Sequence, residues 1–154
     1  MKRIVAYLLF ILIIDIGSIF LLETKFAPQW LETFRLIILC ALIGGIGGVV
    51  YCLRGVYLNY CVRKCWDDKW QPWYYIRPIV SHLCGGVSYL FLRAGLLLLE
   101  ARQSTNTSDL GFLALAFIAG LNVDKFLAKI EDISQATWGI EKSRTAKEDN
   151  VDGN

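Results

Sequence analysis

The feature that most constrains this chain is a series of long apolar blocks that contain almost no charge. The first, residues 4–22, consists almost entirely of Ile, Leu, Val and Phe. An α-helix of about 20 such residues spans the hydrocarbon core of a bilayer. With 55% hydrophobic residues and a mean hydropathy of +0.45, the composition is too apolar for an ordinary soluble domain. The blocks therefore predict a membrane protein built of helices.

Four such blocks predict four membrane-spanning helices, over residues 4–22, 36–53, 78–99 and 110–121. The third is expected to open at Pro78, because the missing backbone donor of proline costs little in the first helical turn. The fourth is shorter than a bilayer requires, but its small residues suit close packing inside a bundle. The predicted fold is all-α, an integral membrane four-helix bundle over residues 1–140, with a loop at 54–77 and a disordered tail at 141–154.

The distribution of Lys and Arg predicts the orientation of the bundle, because basic residues near the ends of spans are retained in the cytoplasm. With four spans, twelve basic residues lie on one side and only Lys25, Arg35 and Arg102 on the other. Both termini and the loop at 54–77 are therefore expected to be cytoplasmic. The even number of crossings also supports the short fourth helix.

The sequence offers little for catalysis or for a metal centre. Its only histidine, His82, lies inside a predicted span, and no Walker, G-x-S-x-G or H-E-x-x-H motif is present. We therefore predict that the chain is not an enzyme and holds no cofactor or metal. Cys61 and Cys65 could share a helix face and bind zinc, but zinc takes four ligands. Structural thiols are the simpler interpretation.

Two ionisable residues lie inside the predicted spans at matching depth. Asp15 is seven residues before the end of the first block, and Arg93 is six residues before the end of the third. Leaving either charge alone in hydrocarbon costs about 2.5–3.5 kcal/mol on insertion scales, so we expect an Asp15–Arg93 pair. Either this pair fixes helix register, or each side chain snorkels separately, or the charges face a water-filled pathway and set its ion preference.

Glycines crowd the second block, where Gly44 and Gly48 form a G-x-x-x-G motif. Such a motif lets helix backbones approach closely. Ala116 and Gly120 provide a similar small-residue surface on the fourth block. These four residues predict close helix packing, within the bundle or with another copy, and a bend at the glycines is the competing interpretation.

The segment 60–77 combines cationic and aromatic side chains outside the predicted spans. Trp and Tyr concentrate at membrane interfaces and basic residues contact anionic headgroups, so a loop anchored to membrane lipids is one interpretation. The other is a ligand site, because aromatic rings stack on bases while cations neutralise phosphates, as nucleotides and single-stranded oligonucleotides require. The candidate ligand-binding residues are Arg63, Lys64, Trp66, Lys69, Trp70 and Arg77. Pro72 is expected to end the helix that enters this segment.

After Gly120, apolar residues recur at helical spacing from Val123 to Ile133, opposite a face of mixed charge. This pattern predicts a cytoplasmic amphipathic helix over residues 122–135 with Asn122 as its N-cap. Because its polar face is not basic, packing on protein or on a sister subunit competes with lying on lipid.

A loose pattern in the C-terminal half consists of Arg77-Pro78, Gly85, Tyr89, the run Arg93-Ala94-Gly95-Leu96-Leu97 and the run Ala116-Phe117-Ile118-Ala119-Gly120. Over residues 77–133 it resembles small bacterial multi-span membrane effectors of the Hailong type, which accompany phage-defence genes. The resemblance implies an oligomeric ion-conducting pore in the bacterial inner membrane, gated by a nucleotide-like or oligonucleotide signal from a partner nucleotidyltransferase. It implies no ligand-binding residue, because the cationic and aromatic segment lies upstream.

The function expected from the sequence is that of a channel-forming homo-oligomeric effector with a cytoplasmic signal-sensing segment, in antiviral defence. The main alternative is a non-conducting membrane anchor or scaffold for a soluble partner, in which the buried charges and glycines serve only packing. A lipid-modifying or redox enzyme that uses Cys61 and Cys65 is a third interpretation.

Overall fold

The computed structural model describes residues 1–24, 33–95 and 109–140, and this part of the chain is helical apart from short connections. The helices are α1 (Lys2–Glu23), α2 (Arg35–Val56), α3 (Gln71–Arg93), α4 (Asp109–Leu121) and α5 (Val123–Trp138). A π-helical turn, Tyr57–Val62, extends α2, and a 3-10 turn, Asp68–Trp70, precedes α3. No strand occurs in the described ranges, so the all-α prediction is confirmed. The predicted tail and residues 96–99 of the third block lie outside them.

Two helices are long and apolar enough to cross a membrane, namely α1 and the continuous helix Arg35–Val62. α4 and α5 satisfy the same length and composition only together, as one pair bent by 109°. α3 has a less apolar sequence than α1 and α2, and several of its polar residues are buried, among them Arg77, Ser81 and Ser88. The structure thus shows a helical bundle with two or three candidate crossings.

Successive helices of the bundle pack antiparallel. The first turns of α1 lie against the last turns of α2, where Ile4 and Leu8 pack against Val49 and Cys52. The rest of α1 touches the bundle through one narrow stripe that reaches Asp15 and Leu22, and its other side is exposed and apolar. An exposed apolar helix face of this kind suits contact with lipid rather than water.

The centre of the bundle is a contact between glycines of three helices. A methyl group built on Gly44 of α2 would lie 2.7 Å from the Cα of Gly85 on α3. One built on Gly120 of α4 would overlap the backbone of Gly44. The neighbouring Gly48 meets the side chain of Ser81, and Ala116 is fully buried. Without Cβ atoms in the way, the three backbones approach closely and gain dispersion contacts.

Pro72, expected to end a helix, and Pro78, expected to open one, both lie inside α3, so the predicted start of the third helix at Pro78 is wrong. α3 begins at Gln71, and Pro72 occupies its first turn. A proline is tolerated there because the first N–H groups of a helix have no partner within it. Pro78 is a buried interior residue of the helix. The segment 54–77 is consequently mostly helical, and only residues 63–67 lack regular structure.

The glycine contact yields a test at three positions, two inside the contact and one outside it. We expect Gly44→Ala and Gly120→Ala each to lower stability by about 1–3 kcal/mol, because an added methyl group must push two backbones apart. Gly17→Ala is the matched control, since a methyl group there meets nothing within 4 Å, and it should cause no loss. Thermal unfolding of the detergent-solubilised protein measures the difference. Equal effects at the three positions would contradict the packing described.

Candidate functional site

A cavity of about 510 Å³ lies at the end of the bundle where α1 begins. Its walls come from the last turns of α2, the π-helical extension, residues 63–67 and the first turns of α3. Five of the lining residues are aromatic, namely Tyr51, Trp66, Trp70, Trp73 and Tyr74. This volume is within the range of small-molecule sites, about 300–1,000 Å³, and aromatic walls are typical of them.

The backbone that forms the far wall of the cavity follows from the way α2 ends. The helix widens into a π-helical turn in which the N–H of Arg63 bonds to the carbonyl of Leu58 at 2.8 Å. Lys64 then adopts a left-handed conformation with φ of 51° and reverses the chain toward α3. π-helical turns and left-handed non-glycine residues are both uncommon, and both are frequent at functional sites.

A set of hydrogen bonds holds the aromatic side chains in place. The ring of Trp66 stacks on Tyr74, with centroids 5.6 Å apart and planes inclined by 22°. Its Nε1–H donates to Oδ1 of Asp68 at 2.9 Å, and Gln71 donates to the same oxygen. These two hydrogen bonds, the one from Trp66 foremost, lower the pKa of Asp68 below its usual value. Asp68 therefore stays ionised at neutral pH and fixes the indole.

The charged residues around the cavity favour an anion. Arg54 and Arg63 line it, against a single carboxylate, Asp67. That carboxylate caps the 3-10 turn by accepting from the backbone N–H of Lys69 at 3.0 Å. Asn59, whose amide donates to the hydroxyl of Tyr74 at 3.3 Å, adds a neutral polar group. Two guanidinium groups beside aromatic walls suit a ligand that has both a phosphate and a planar ring.

Arg77 supports the cavity from below instead of lining it. Its guanidinium carbon lies 4.3 Å from the ring centre of Tyr51 and 5.0 Å from that of Trp73. The side chain is only 1% exposed, and its Nη1 forms an ion pair with Asp124 of α5 at 2.8 Å. Arg77 thus connects two walls of the cavity to α5. Its cation–π contacts reach the walls, and its charged hydrogen bond reaches Asp124.

Of the six predicted ligand-binding residues, the structure brings three to the cavity. Arg63, Trp66 and Trp70 line it, whereas Lys64 and Lys69 are exposed beside it. Sequence reasoning left out the α2 side of the cavity, whose lining residues include Tyr51, Arg54, Leu58 and Asn59. The signal was present in their spacing, because these residues recur on one face of a helix that continues past the apolar block.

The predicted Asp15–Arg93 pair is wrong, because Asp15 bonds to His82. The Oδ1 atom of Asp15 lies 3.0 Å from Nε2 of His82, and Asp15 is buried while Arg93 is exposed. The prediction took the end of the leucine-rich block as the membrane boundary. Gly95, with φ of 75°, ends the helix earlier. Arg93 therefore lies in the last turn of α3, where its charge complements the helix dipole.

The hydrogen bond between Asp15 and His82 contains a proton in addition to the one on Nδ1 of His82. Nδ1 of His82 lies 2.8 Å from the carbonyl oxygen of Pro78, so this nitrogen must donate. A hydrogen bond between Nε2 and the Asp15 carboxyl group then requires a further proton on one of the two groups. The Oδ2 atom of Asp15 has no hydrogen-bond partner among the described residues. The pair thus joins α1, a candidate span, to α3 through a polar contact.

The cysteines do not form a metal site in the part of the chain that the structure describes. Cys61 and Cys65 are exposed free thiols, and Cys65 lines the cavity. Within the described ranges no group of three or more His, Cys, Asp or Glu side chains could hold an ion. Comparisons with protein-family models, with curated proteins and with solved structures find no match to this chain.

A double-mutant cycle tests the partner of Asp15. We expect Asp15→Ala and His82→Ala to be coupled by about 0.5–1.7 kcal/mol in unfolding free energy, because each removes the same buried hydrogen bond. The matched cycle of Asp15→Ala with Arg93→Ala should show coupling near zero. Chemical or thermal unfolding in one detergent measures both. A larger coupling to Arg93 than to His82 would restore the pair expected from the sequence.

Proposed function

We propose that the chain is a multi-span protein of the bacterial inner membrane with both termini in the cytoplasm. The support is the distribution of charge over the described residues. Basic residues gather at the end of the bundle where α1 begins, namely Lys2, Arg3, Arg54, Arg63, Lys64, Lys69 and Arg77, whereas the other end carries Arg35 and Arg93. The positive-inside rule then assigns the cavity to the cytoplasmic face. In this topology α1, α2 and α3 cross the membrane, and α4, which runs antiparallel to α3, returns the chain toward the cytoplasmic side.

The function that the geometry supports best is recognition of a phosphate-bearing ligand with a planar ring at this cytoplasmic cavity. The observation that carries the proposal is the joining of ordered indole and phenol rings with two arginines around one enclosed space. Aromatic rings stack on a base, and guanidinium groups bind phosphate through bidentate hydrogen bonds. The volume of about 510 Å³ suits one small nucleotide better than a long oligonucleotide.

Phosphate chemistry has two sources at this position, a soluble nucleotide and a lipid headgroup. The aromatic residues at the membrane interface favour contact with lipid, whereas the volume of the cavity and its stacked rings favour a free nucleotide. Binding measured in nanodiscs separates the two. One arm adds purine and pyrimidine nucleotides to discs of zwitterionic lipid, and the other replaces part of that lipid by an anionic phospholipid.

We expect nucleotides to bind and Trp66→Ala to weaken binding roughly five- to hundredfold, since base stacking on an aromatic ring contributes about 1–3 kcal/mol. Arg63→Ala should weaken it as well and should reduce its salt dependence. Lys69→Ala is the matched control, because Lys69 is exposed beside the cavity and does not line it. Calorimetry or quenching of tryptophan fluorescence gives the affinities.

Three results separate the possibilities for the cavity. Saturable nucleotide binding that depends on Trp66 and Arg63 supports the proposal. Selective retention of the anionic phospholipid that depends on the same residues, without nucleotide binding, assigns the cavity to a lipid headgroup. Absence of binding in both arms, or an equal loss in Lys69→Ala, would show that the cavity is not a ligand site.

A second candidate function is ion conduction by a homo-oligomer, as in the effectors that the C-terminal half resembles. The observation that favours it is the Asp15–His82 pair, because its imidazole is 29% exposed on the surface of the bundle at mid-helix. Association of several copies around this surface would place polar groups along a shared pathway. The gating signal would then be a product of a partner nucleotidyltransferase, and the setting antiviral defence.

Conduction is measured as ion flux from liposomes that contain the purified protein. The channel proposal predicts flux that rises on addition of a nucleotide and changes in Asp15→Asn, which keeps the shape of the side chain but removes its charge. Trp70→Phe, far from the pair, should leave the ion preference unchanged. A sealed vesicle under every nucleotide tested would favour the membrane anchor or scaffold for a soluble partner.

A further inference from the structure

α4 stops beside the middle of α2, and α5 starts there. Gly120, the penultimate residue of α4, contacts Gly44, and its carbonyl accepts a hydrogen bond of 3.0 Å from the hydroxyl of Ser81. One turn later Asp124 bonds to Arg77. These contacts fix the end of α4 against α2 and α3, and the first turn of α5 against α3.

The contacts also fix the depth at which α5 begins. Gly44 is ten residues before Arg54, the first charged residue after the apolar part of α2, and Tyr51 below Arg77 is three residues before it. At 1.5 Å per residue these positions lie about 15 Å and about 5 Å on the apolar side of Arg54. Helices that lie in a membrane surface are buried by about 5–10 Å. Because Asp124 bonds to Arg77 above Tyr51, four residues after Gly120 contacts Gly44, α5 begins between these two levels and close to interfacial depth.

The direction of α5 follows from the bend between the two helices. α4 packs antiparallel to α3, as the ring contact between Phe112 and Tyr89 at one end and the Ser81–Gly120 hydrogen bond at the other show. α4 therefore runs along the bundle axis. Because α5 turns from it by 109°, it runs nearly in the plane of the membrane.

The apolar face of α5 is buried deeply only in its first turn and becomes more exposed along the helix. Val123 is buried, and Phe126 packs with it against Cys84 and Ala119. Beyond that turn Ile130 and Ile133 are half-buried, whereas Leu127 is 45% and Trp138 60% exposed. The opposite face carries charges of both signs, including Asp124 and Lys125.

We propose that α5 is an in-plane membrane helix whose apolar face lies in the acyl chains of the adjoining leaflet. This proposal rests on the proposed membrane topology. In that topology lipid surrounds the bundle at the depth where α5 begins, and the exposed apolar residues of α5 face that lipid. A Trp at the end of the helix suits the headgroup boundary. Since the polar face has mixed charge, binding comes from apolar burial and does not require anionic lipid.

Quenching of tryptophan fluorescence by brominated lipids tests this placement in the intact protein. The fluorescence of Trp138 is obtained as the difference between the unmodified protein and Trp138→Phe. We expect brominated phosphatidylcholine to quench at least half of this difference, and addition of anionic lipid to change the quenching less than twofold. Trp70→Phe is the matched control, because Trp70 lies at the cavity. Its loss should leave unchanged the amount of fluorescence that brominated lipid quenches.

A second pair of variants tests the face rather than the end of the helix. Leu127→Glu should reduce the quenching of Trp138 severalfold, whereas Ala128→Glu, one residue further round on the polar side, should not. Quenching of Trp138 by iodide from the water and not by brominated lipid would overturn the proposal. Quenching by brominated lipid that disappears as the number of protein copies per vesicle rises would assign the face to a second copy instead.

Discussion

The contact in which Gly44 meets Gly85 and Gly120 determines where the rest of the structure lies. Three helix backbones touch at one level of the bundle, and no side chain larger than hydrogen fits between them. The contact halts α4 beside the middle of α2 and sets the position of α5. It also leaves the last turns of α2 and the first turns of α3 to project together past α4, and the cavity forms between these projecting ends.

Three hydrogen bonds join polar groups of different helices around this contact, while Oδ2 of Asp15 and Nε and Nη2 of Arg77 have no hydrogen-bond partner among the described residues. Asp15 bonds to His82, Ser81 to the carbonyl of Gly120, and Arg77 to Asp124. Each bond joins two different helices, so it selects one register of packing as well as satisfying a polar atom. Arg77 has a second role, because its contacts with Tyr51 and Trp73 link α5 to the walls of the cavity.

Those parts of the fold that depend on local sequence could be predicted. Blocks of apolar residues gave α1 and α2 to within a few residues, and the amphipathic pattern placed α5 with Asn122 at its start. The side chain of Asn122 makes no cap, however, and its amide faces the carbonyl of Ile118. The small residues Gly44 and Gly120 were identifiable as packing positions, because lack of a side chain has the same consequence in any close helix pair.

Features that depend on the relative depth of two helices could not be predicted. The partner of Asp15 was misassigned because the apolar block was taken as one span to residue 99, whereas α3 ends at Arg93. The start of α3 was missed because Pro78 was expected in the first turn, whereas Pro72 occupies that turn and Pro78 lies in the interior of the helix. Half of the cavity was missed because Tyr51 and Arg54 lie on a helix that was expected to be only a span.

In the proposed topology the cavity and α5 share the cytoplasmic face of a glycine-packed membrane bundle. The two exposed native thiols test directly on which side of the membrane the cavity lies. Cys61 and Cys65 lie at the cavity end, while the other three cysteines are buried. A membrane-impermeant maleimide should label Cys61 and Cys65 in inside-out vesicles and leave them unlabelled in right-side-out vesicles. Labelling from the outside in sealed right-side-out vesicles would contradict the orientation, and with it the assignment of the cavity to a cytoplasmic ligand.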